Sequence, residues 1–285
     1  MASYRFCRPD DMSMLVHAVN VCCIPYCPDS APYTAADFKR EVRELNLWAS
    51  SCLVALGKDR DDPLAVLMGC KRAHGTLIYR IATHPDCVNQ GHASHLLTSL
   101  QGKLAVIGPK DIFVEINNNE EKLKRFFEQR GFVSCLQFVD YEFQSKAVRS
   151  AVQLCVEPIS VDQLFSSAVP FPIAGNESWI RHKESLINLK DNLQGLAVIS
   201  DKTIEGAVLF LSKQDYVELL FWHINDSSHG TKVLFSLLQH LQESYKKKII
   251  IPKVPEINSW HNIDLCFTTA VATQSTLYRG TARSI

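Results

Sequence analysis

Apolar positions along the first half of the chain follow two spacings. β-type apolar runs at 51–57 and 63–71 predict strands, whereas the leucines between positions 96 and 104 recur at the spacing of one helix face. Between residues 4 and 143 the predicted elements follow the order β-α-α-β-β-β-α-β-α-β. Strands and helices that alternate in this way favour an α/β fold, in which helices cover a mixed central sheet.

The second half of the chain repeats this order of elements. Its strands are predicted at 194–200, 205–211 and 216–223, and a helix at 231–245 follows a polar loop. The loop glycines Gly91 and Gly230 give an offset of 230 − 91 = 139 residues. Identity between the halves is weak, so the repeat depends on element order and length. We predict two domains, 1–146 and 147–285, with a less regular tail after the last strand.

Composition excludes several functions. The chain has 285 residues, which suits two domains, and it has 30 Lys plus Arg against 30 Asp plus Glu. Such a balance predicts neither nucleic-acid binding nor attraction to a membrane surface. We find no signal peptide and no run of about 18 apolar residues, so a cytoplasmic protein is expected.

The ten cysteines suit free core thiols in a reducing compartment. Cys22, Cys23 and Cys27 form only half of a zinc pattern, so no metal is expected.

Residues 81–97 run from a strand through a polar turn into a helix. The start of a helix leaves about four N–H groups without partners and carries partial positive charge. Gly91 lets a phosphate approach the main chain closely, and Ala93 keeps the first turn uncrowded. The turn therefore suits a pyrophosphate without any lysine. A purely structural turn is the alternative, because one glycine between strand and helix is common.

This segment resembles the acyl-CoA binding motif of the GNAT superfamily of N-acyltransferases, a strand ending near a proline followed by R/Q-x-x-G-x-G/A and a helix. His84-Pro85-Asp86 and Gln90-Gly91-His92-Ala93 stand in the places of that motif, although Val88 occupies its R/Q position. Residues 126–132 look like the closing aromatic-x-x-x-Gly-Phe signature. The resemblance covers 4–143 and extends to the second half only in outline. It implies two tandem GNAT-like domains. The loop 225–232 of the second has donors and a helix start, but Asp226 opposes an anion and no proline marks the strand end. We therefore expect a degenerate second copy, with an independently active one as the alternative.

The resemblance also implies a ligand and a reaction. The fourth strand should separate from the fifth, and the pantetheine arm of acetyl-CoA or another acyl-CoA should bond main-chain groups in the gap. A small-molecule or peptide amine would then attack the thioester directly, without a metal or a covalent enzyme intermediate. Acceptor contacts are expected from 22–45 and 179–187. The residues expected to bind the coenzyme are Ile81, Ala82, Thr83, Val88, Asn89, Gln90, Gly91, His92, Ala93, Ser94 and Asn119.

The catalytic groups are less well matched. Phe127 stands where many family members have a tyrosine that acts as the acid, and Tyr278 resembles that missing tyrosine in the second half. The pantetheine-binding asparagine of the family aligns with Glu120, one residue past Asn119. Glu115 is the candidate base, with a solvated strand-end carboxylate as the alternative. Three functions stay open: an N-acyltransferase, a catalytically weak module that binds a coenzyme A ester as a sensor or assembly part, or a scaffold that binds no coenzyme.

Overall fold

A computed structural model describes residues 2–58, 62–143, 154–171, 177–225, 229–256 and 267–283. The chain forms two compact units. The first contains residues 1–135 together with 277–285, and the second contains residues 136–276.

The first unit is a mixed sheet packed by helices. Its strands lie in the order β1-β2-β3-β4-β5-β12, antiparallel from β1 to β4 and parallel between β4 and β5. The strands are β1 (Ser3–Phe6), β2 (Leu53–Leu56), β3 (Pro63–Arg72), β4 (Gly75–Thr83), β5 (Asp111–Asn117) and the end of β12 (Phe267–Thr281). The helices are α1 (Met12–Cys22), α2 (Ala35–Leu45), α3 (His92–Ile107) and α4 (Glu121–Glu128).

The second unit repeats this plan. Its strands lie in the order β6-β11-β10-β9-β8-β7, and its parallel pair is β10 with β11. The strands are β6 (Val133–Phe143), β7 (Val156–Pro158), β8 (Gln194–Ser200), β9 (Thr203–Ser212), β10 (Tyr216–Ile224) and β11 (Lys248–Pro255). The helices are α5 (Val161–Ser166), α6 (Lys183–Asn188) and α7 (Gly230–Tyr245).

The closing strand of each half lies in the other unit. β6 pairs antiparallel with β11 of the second unit, where Phe143 is opposite Ile249. The end of β12 lies beside β5 in the first unit, where Arg279 donates to Asp111 at 2.8–3.1 Å. The expectation of a less regular tail was therefore wrong for this segment, which is a strand. The limits 1–146 and 147–285 stay a prediction about the two sequence repeats.

Local signals explain where the early helices begin. The sequence predicts that Thr34 caps a helix at 35–45, and the structure has a capping box there. The Thr34 side chain accepts from the N–H of Asp37, and the Asp37 carboxylate accepts from the N–H of Thr34. The sequence also predicts that Asp10 or Asp11 caps α1; Asp11 stands at the N-cap position, but its side chain makes no cap hydrogen bond. The Asp11 carboxylate instead accepts from both terminal nitrogens of Arg5, at 2.6 and 2.8 Å. In this bidentate pair both partners are charged and two hydrogen bonds form, whereas a cap would have given the carboxylate one neutral N–H donor.

The core lies under the long helix of each unit. In the first, the predicted leucine face of α3 packs against β4 and β5 with Phe127 of α4. In the second, α7 provides the matching apolar face against β10 and β11. Because α3 follows β4 directly, this packing holds the start of α3 at the carboxyl end of β4. Within the described ranges, no helix is long and apolar enough to cross a membrane.

Candidate functional site

A gap opens between β4 and β5. The two strands pair only from Thr76 with Ile112 to Ile78 with Val114, yet β4 continues to Thr83 while paired with β3. A bulge at Tyr79 marks the point of separation, because Arg80 is opposite Met68 and Ile78 is opposite Gly69. Past this bulge the main chain of β4 is available on the side of β5. The separation that the resemblance implies is therefore present.

The turn between β4 and α3 is an open nest of main-chain donors. Gly91 holds a left-handed φ of 84°, and a Cβ added there would meet no atom within 4 Å. The first intrahelical bond runs from the N–H of His95 to the carbonyl of Gly91, at 3.0 Å. The N–H groups of the preceding residues of α3 have no acceptor within the helix, and no side chain caps it in the described structure. An anion fits this turn.

Arg130 adds a positive charge that the sequence analysis missed. Its guanidinium donates to the Ser94 hydroxyl in the first turn of α3, at 2.5 Å, and to the carbonyl of Phe126 at 2.7 Å. It also lies 3.8 Å from the ring centre of Phe126. Burial lowers the pKa of Arg130, an effect that a bound anion would offset. Arg130 lies inside the closing signature at 126–132, but nothing in that signature shows that its side chain reaches Ser94.

A side chain of strand β1 contacts the first turn of α3. The Tyr4 hydroxyl hydrogen-bonds Nδ1 of the buried His92 at 2.8 Å, and the Tyr4 ring lies tilted over that of His95, with ring centres 3.8 Å apart. The other ring nitrogen of His92, Nε2, is buried without a hydrogen-bond partner in the described structure.

A buried ionic cluster lies where β4 separates from β5. The Glu41 carboxylate of α2 accepts from Arg80 Nη1 at 2.9 and 3.0 Å, from Tyr33 at 2.5 Å and from Tyr79 at 3.2 Å. The Arg80 guanidinium also lies over both tyrosine rings. Burial raises the pKa of Tyr79 to about 12, so its hydroxyl stays protonated at neutral pH. Sequence reasoning missed this cluster, whose members are spread over residues 33–80 of the chain.

Comparison with known proteins agrees with this geometry. The sequence model of the acetyltransferase (GNAT) family matches residues 20–132. The matched segment, residues 20–132, belongs to the GNAT superfamily. No curated protein sequence matches the chain.

Solved structures extend the likeness to the whole chain. A tandem GNAT protein from the clavulanic acid biosynthesis pathway matches with a TM-score of 0.66 and 8% identity, over 99% of both chains. A probable N-acyltransferase from Enterococcus faecalis matches at 0.68 and 12%, over 100% of this chain and 73% of that one. A GCN5-related N-acetyltransferase from Sphaerobacter thermophilus matches at 0.63 and 11%, over 99% and 96%. At such identities the likeness shows the fold alone, which is the tandem GNAT fold.

The residues predicted to bind the coenzyme lie at one edge of the first GNAT unit. Residues 81–83 form the end of β4, and 88–94 form the turn and the first residues of α3. Asn119 is exposed in the loop after β5, and parallel strands bring their carboxyl ends to the same edge. Val88 is 47% exposed and Glu115 is half-buried, one residue past the last β4–β5 pair. Their roles stay predictions.

The position that many GNAT proteins give to a tyrosine is part of the core here. Phe127 is fully buried, with its ring in edge contact with Phe126 and Phe132 at 5.1 and 4.9 Å. Tyr278 belongs to the same core, and its hydroxyl donates to Glu128 at the end of α4 at 3.2 Å. Neither side chain is an obvious proton donor at the β4–β5 gap.

We predict that Phe127→Tyr lowers the free energy of unfolding by about 1–3 kcal/mol without raising kcat, because the new hydroxyl would be buried without a partner. Urea unfolding and steady-state rates measure both effects. Phe126→Tyr is the matched control, since Phe126 is partly exposed and its new hydroxyl reaches water. A tenfold gain in kcat for Phe127→Tyr would contradict the assignment of this position to the core.

The second unit has a matching gap between β10 and β11, but the side chain of Arg181 from the same unit occupies it. β10 and β11 pair only as far as Glu218 with Ile250, and a bulge follows at Leu220. Buried Arg181 donates from Nη1 to the carbonyls of Leu219 on β10 and Pro252 on β11, each at 3.4 Å. A guanidinium thus bridges the two strands at the level where the gap begins.

Further contacts hold Arg181 in this position. Its Nε lies 3.1 Å from the carboxylate of buried Glu177, and its Cζ lies 4.1 Å from the ring centre of Trp222. The start of α7 also differs from that of α3, because a Cβ on buried Gly230 would lie 2.8 Å from Ile224. The loop candidate 225–232 falls partly outside the described residues. These contacts favour a closed second site.

Proposed function

We propose that the chain is an acyl-CoA-dependent N-acyltransferase, with acetyl-CoA as the favoured donor and one coenzyme site, in the first unit. The open main-chain turn at Gly91, beside the β4–β5 gap, is the observation that carries this proposal. A pyrophosphate at this turn would receive main-chain N–H groups of α3, and Arg130 is close enough to add charge through its contact with Ser94.

The pantetheine arm is proposed to lie in the β4–β5 gap. Past the bulge, the main-chain groups around Ile81 and Thr83 alternate in direction. Some pair with β3, and the others point to the opposite side of the strand, as along any strand edge. The arm carries amide groups, so it can bond to such an edge as an added strand does. Asn119, at the carboxyl end of β5, is the side chain proposed to contact it.

The reaction follows from this placement. The amine nitrogen attacks the thioester carbonyl carbon, a C–N bond forms and the C–S bond breaks. The coenzyme leaves as a thiolate, and the proton lost by the amine passes to Glu115 or to water. Since Phe127 has no proton to give, we propose that the thiolate is protonated by water. Coenzyme A thiolate is a tolerable leaving group, so such a route supports turnover.

A catalytically weak coenzyme-binding module is the second candidate. The buried Phe127 favours it, because the acid of many GNAT proteins is missing.

The acceptor in the first proposal is a small-molecule or peptide amine. The free thiols of the described cysteines support a cytoplasmic location, since a reducing compartment preserves them.

Binding and turnover are measured separately to test both candidates. Acetyl-CoA at 100 times its Kd is expected to stabilise the chain by about 2.7 kcal/mol, seen as a rise in Tm. Thiol release is then followed with a panel of amines, with Glu115→Gln as the variant that should lower kcat about 10²- to 10⁴-fold and leave Kd unchanged. Binding without thiol release would support the sensor. No rise in Tm at millimolar acetyl-CoA would overturn both.

A further inference from the structure

The Arg80 guanidinium is held through one of its nitrogens. Nη1 donates to both oxygens of Glu41, at 2.9 and 3.0 Å. In the described part of the chain, no hydrogen bond uses Nε or Nη2 of Arg80. An arginine has five N–H donors in a planar fork, so three of them stay available on the side away from Glu41.

The exposed charge of this pair is positive. The side chain of Glu41 is 7% exposed, whereas that of Arg80 is 27% exposed. Tyr33 and Tyr79 also donate to the carboxylate, which fills its acceptor positions. A molecule arriving at this cluster therefore meets the free edge of a guanidinium and not a carboxylate.

The cluster is placed for contact with the acceptor. Arg80 follows the bulge residue Tyr79, where β4 leaves β5 and the gap proposed for the pantetheine arm begins. The segment after α1 covers the end of β4, because the Tyr26 hydroxyl donates to the carbonyl of Thr83 at 2.9 Å. Tyr33 and Glu41 belong to the segment from which acceptor contacts are expected.

We infer that Arg80 binds a carboxylate of the acceptor, so that the acceptor class is amines that carry a carboxylate, such as amino acids or short peptides with a free C-terminus. This inference rests on the proposed function. The free Nε and Nη2 edge matches the two oxygens of a carboxylate, which is the geometry of bidentate recognition. Glu41 is a positioning residue, which fixes the guanidinium through Nη1. A polyamine would be disfavoured, since the exposed charge would repel it.

The test compares each standard amino acid, and diglycine, with its own C-terminal carboxamide as acceptor of acetyl-CoA. For the wild-type chain we expect kcat/KM for the free acid to exceed that for the carboxamide by about 10- to 100-fold, through KM. Arg80→Gln should bring this ratio to about one, and Arg80→Lys should give an intermediate ratio because lysine keeps the charge without the fork. Glu41→Gln should raise KM for the acids while kcat is kept.

Removing Arg80 alone leaves the Glu41 carboxylate buried without its cation, so Arg80→Gln with Glu41→Gln is made as a second variant that removes both charges. Circular dichroism and the Tm rise with acetyl-CoA confirm that each variant folds and binds the donor. Equal use of acids and carboxamides, a preference for polyamines, or no acylation of any free acid by a chain that binds acetyl-CoA would each overturn the inference. Loss of the Tm rise in the wild type would instead contradict the proposed function.

Discussion

Replacing Gly91 with aspartate is expected to weaken coenzyme A binding by roughly 100-fold, and replacing it with asparagine by about tenfold or less. Both residues tolerate the left-handed φ of 84° better than other side chains, and a Cβ at this position meets no atom within 4 Å. The two side chains have nearly the same shape and the same backbone cost. The difference in the Kd of coenzyme A between the two variants therefore reports the effect of charge alone. A carboxylate at the start of α3 would face the pyrophosphate at close range and repel it.

Isothermal titration with coenzyme A at two salt concentrations measures this difference. We expect the aspartate-to-asparagine ratio of Kd to shrink at high salt, because the turn is exposed and the charges are screened. The free energy of unfolding should fall by a similar amount, about 1 kcal/mol, in both variants. If both variants bind coenzyme A equally well, the phosphates do not lie at Gly91.

Much of the fold was predictable because its signals are local. The leucine spacing of α3, the Thr34 cap and the strand at Gln194–Ser200 each depend on a few neighbouring residues, and the structure has them. The exchange of β6 and β12 was not predictable. An apolar strand pattern shows that a strand forms but not which sheet edge it joins, since any edge offers the same main-chain groups.

The candidate site also combines features that the sequence predicts with features that it does not. The turn at Gly91 was predictable, because a glycine, a polar loop and a helix start are adjacent in the chain. Arg130 reaches Ser94 across 36 residues, and Arg80 reaches Glu41 across 39. Side chains so far apart carry no shared sequence signal, and only packing brings them together. Phe127 was noticed by comparison with a family pattern, whereas its burial required the structure.

The ion pair in the gap of the second unit leads to the largest expected change in stability. Arg181→Met should lower the free energy of unfolding of that unit by about 3–5 kcal/mol, because it leaves the Glu177 carboxylate buried without its cation. Glu177→Gln should lower the free energy of unfolding by a similar amount, because the buried guanidinium of Arg181 then loses this carboxylate. Arg181→Met with Glu177→Gln should cost less than the sum of the two, because no unpaired charge is left.

Urea unfolding followed by circular dichroism, together with hydrogen exchange of β10 and β11, separates this unit from the first. Exposed Lys190→Met is a control for loss of a cation, since its partner Asp162 is 78% exposed and the pair contributes little. Strictly additive effects in the double variant would show that Arg181 and Glu177 do not act as a pair.

The same variants test whether the second gap is a ligand site held shut. We expect one coenzyme A per chain by titration, both for the wild type and for the double variant. Removing the guanidinium frees the carbonyls of Leu219 and Pro252, but Gly230 stays packed against Ile224, whereas a Cβ at Gly91 would meet no atom within 4 Å. We therefore expect that phosphates do not bind beside Gly230 even when the gap between β10 and β11 is open. Binding of a second coenzyme by the double variant would mean that Arg181 alone keeps this site closed.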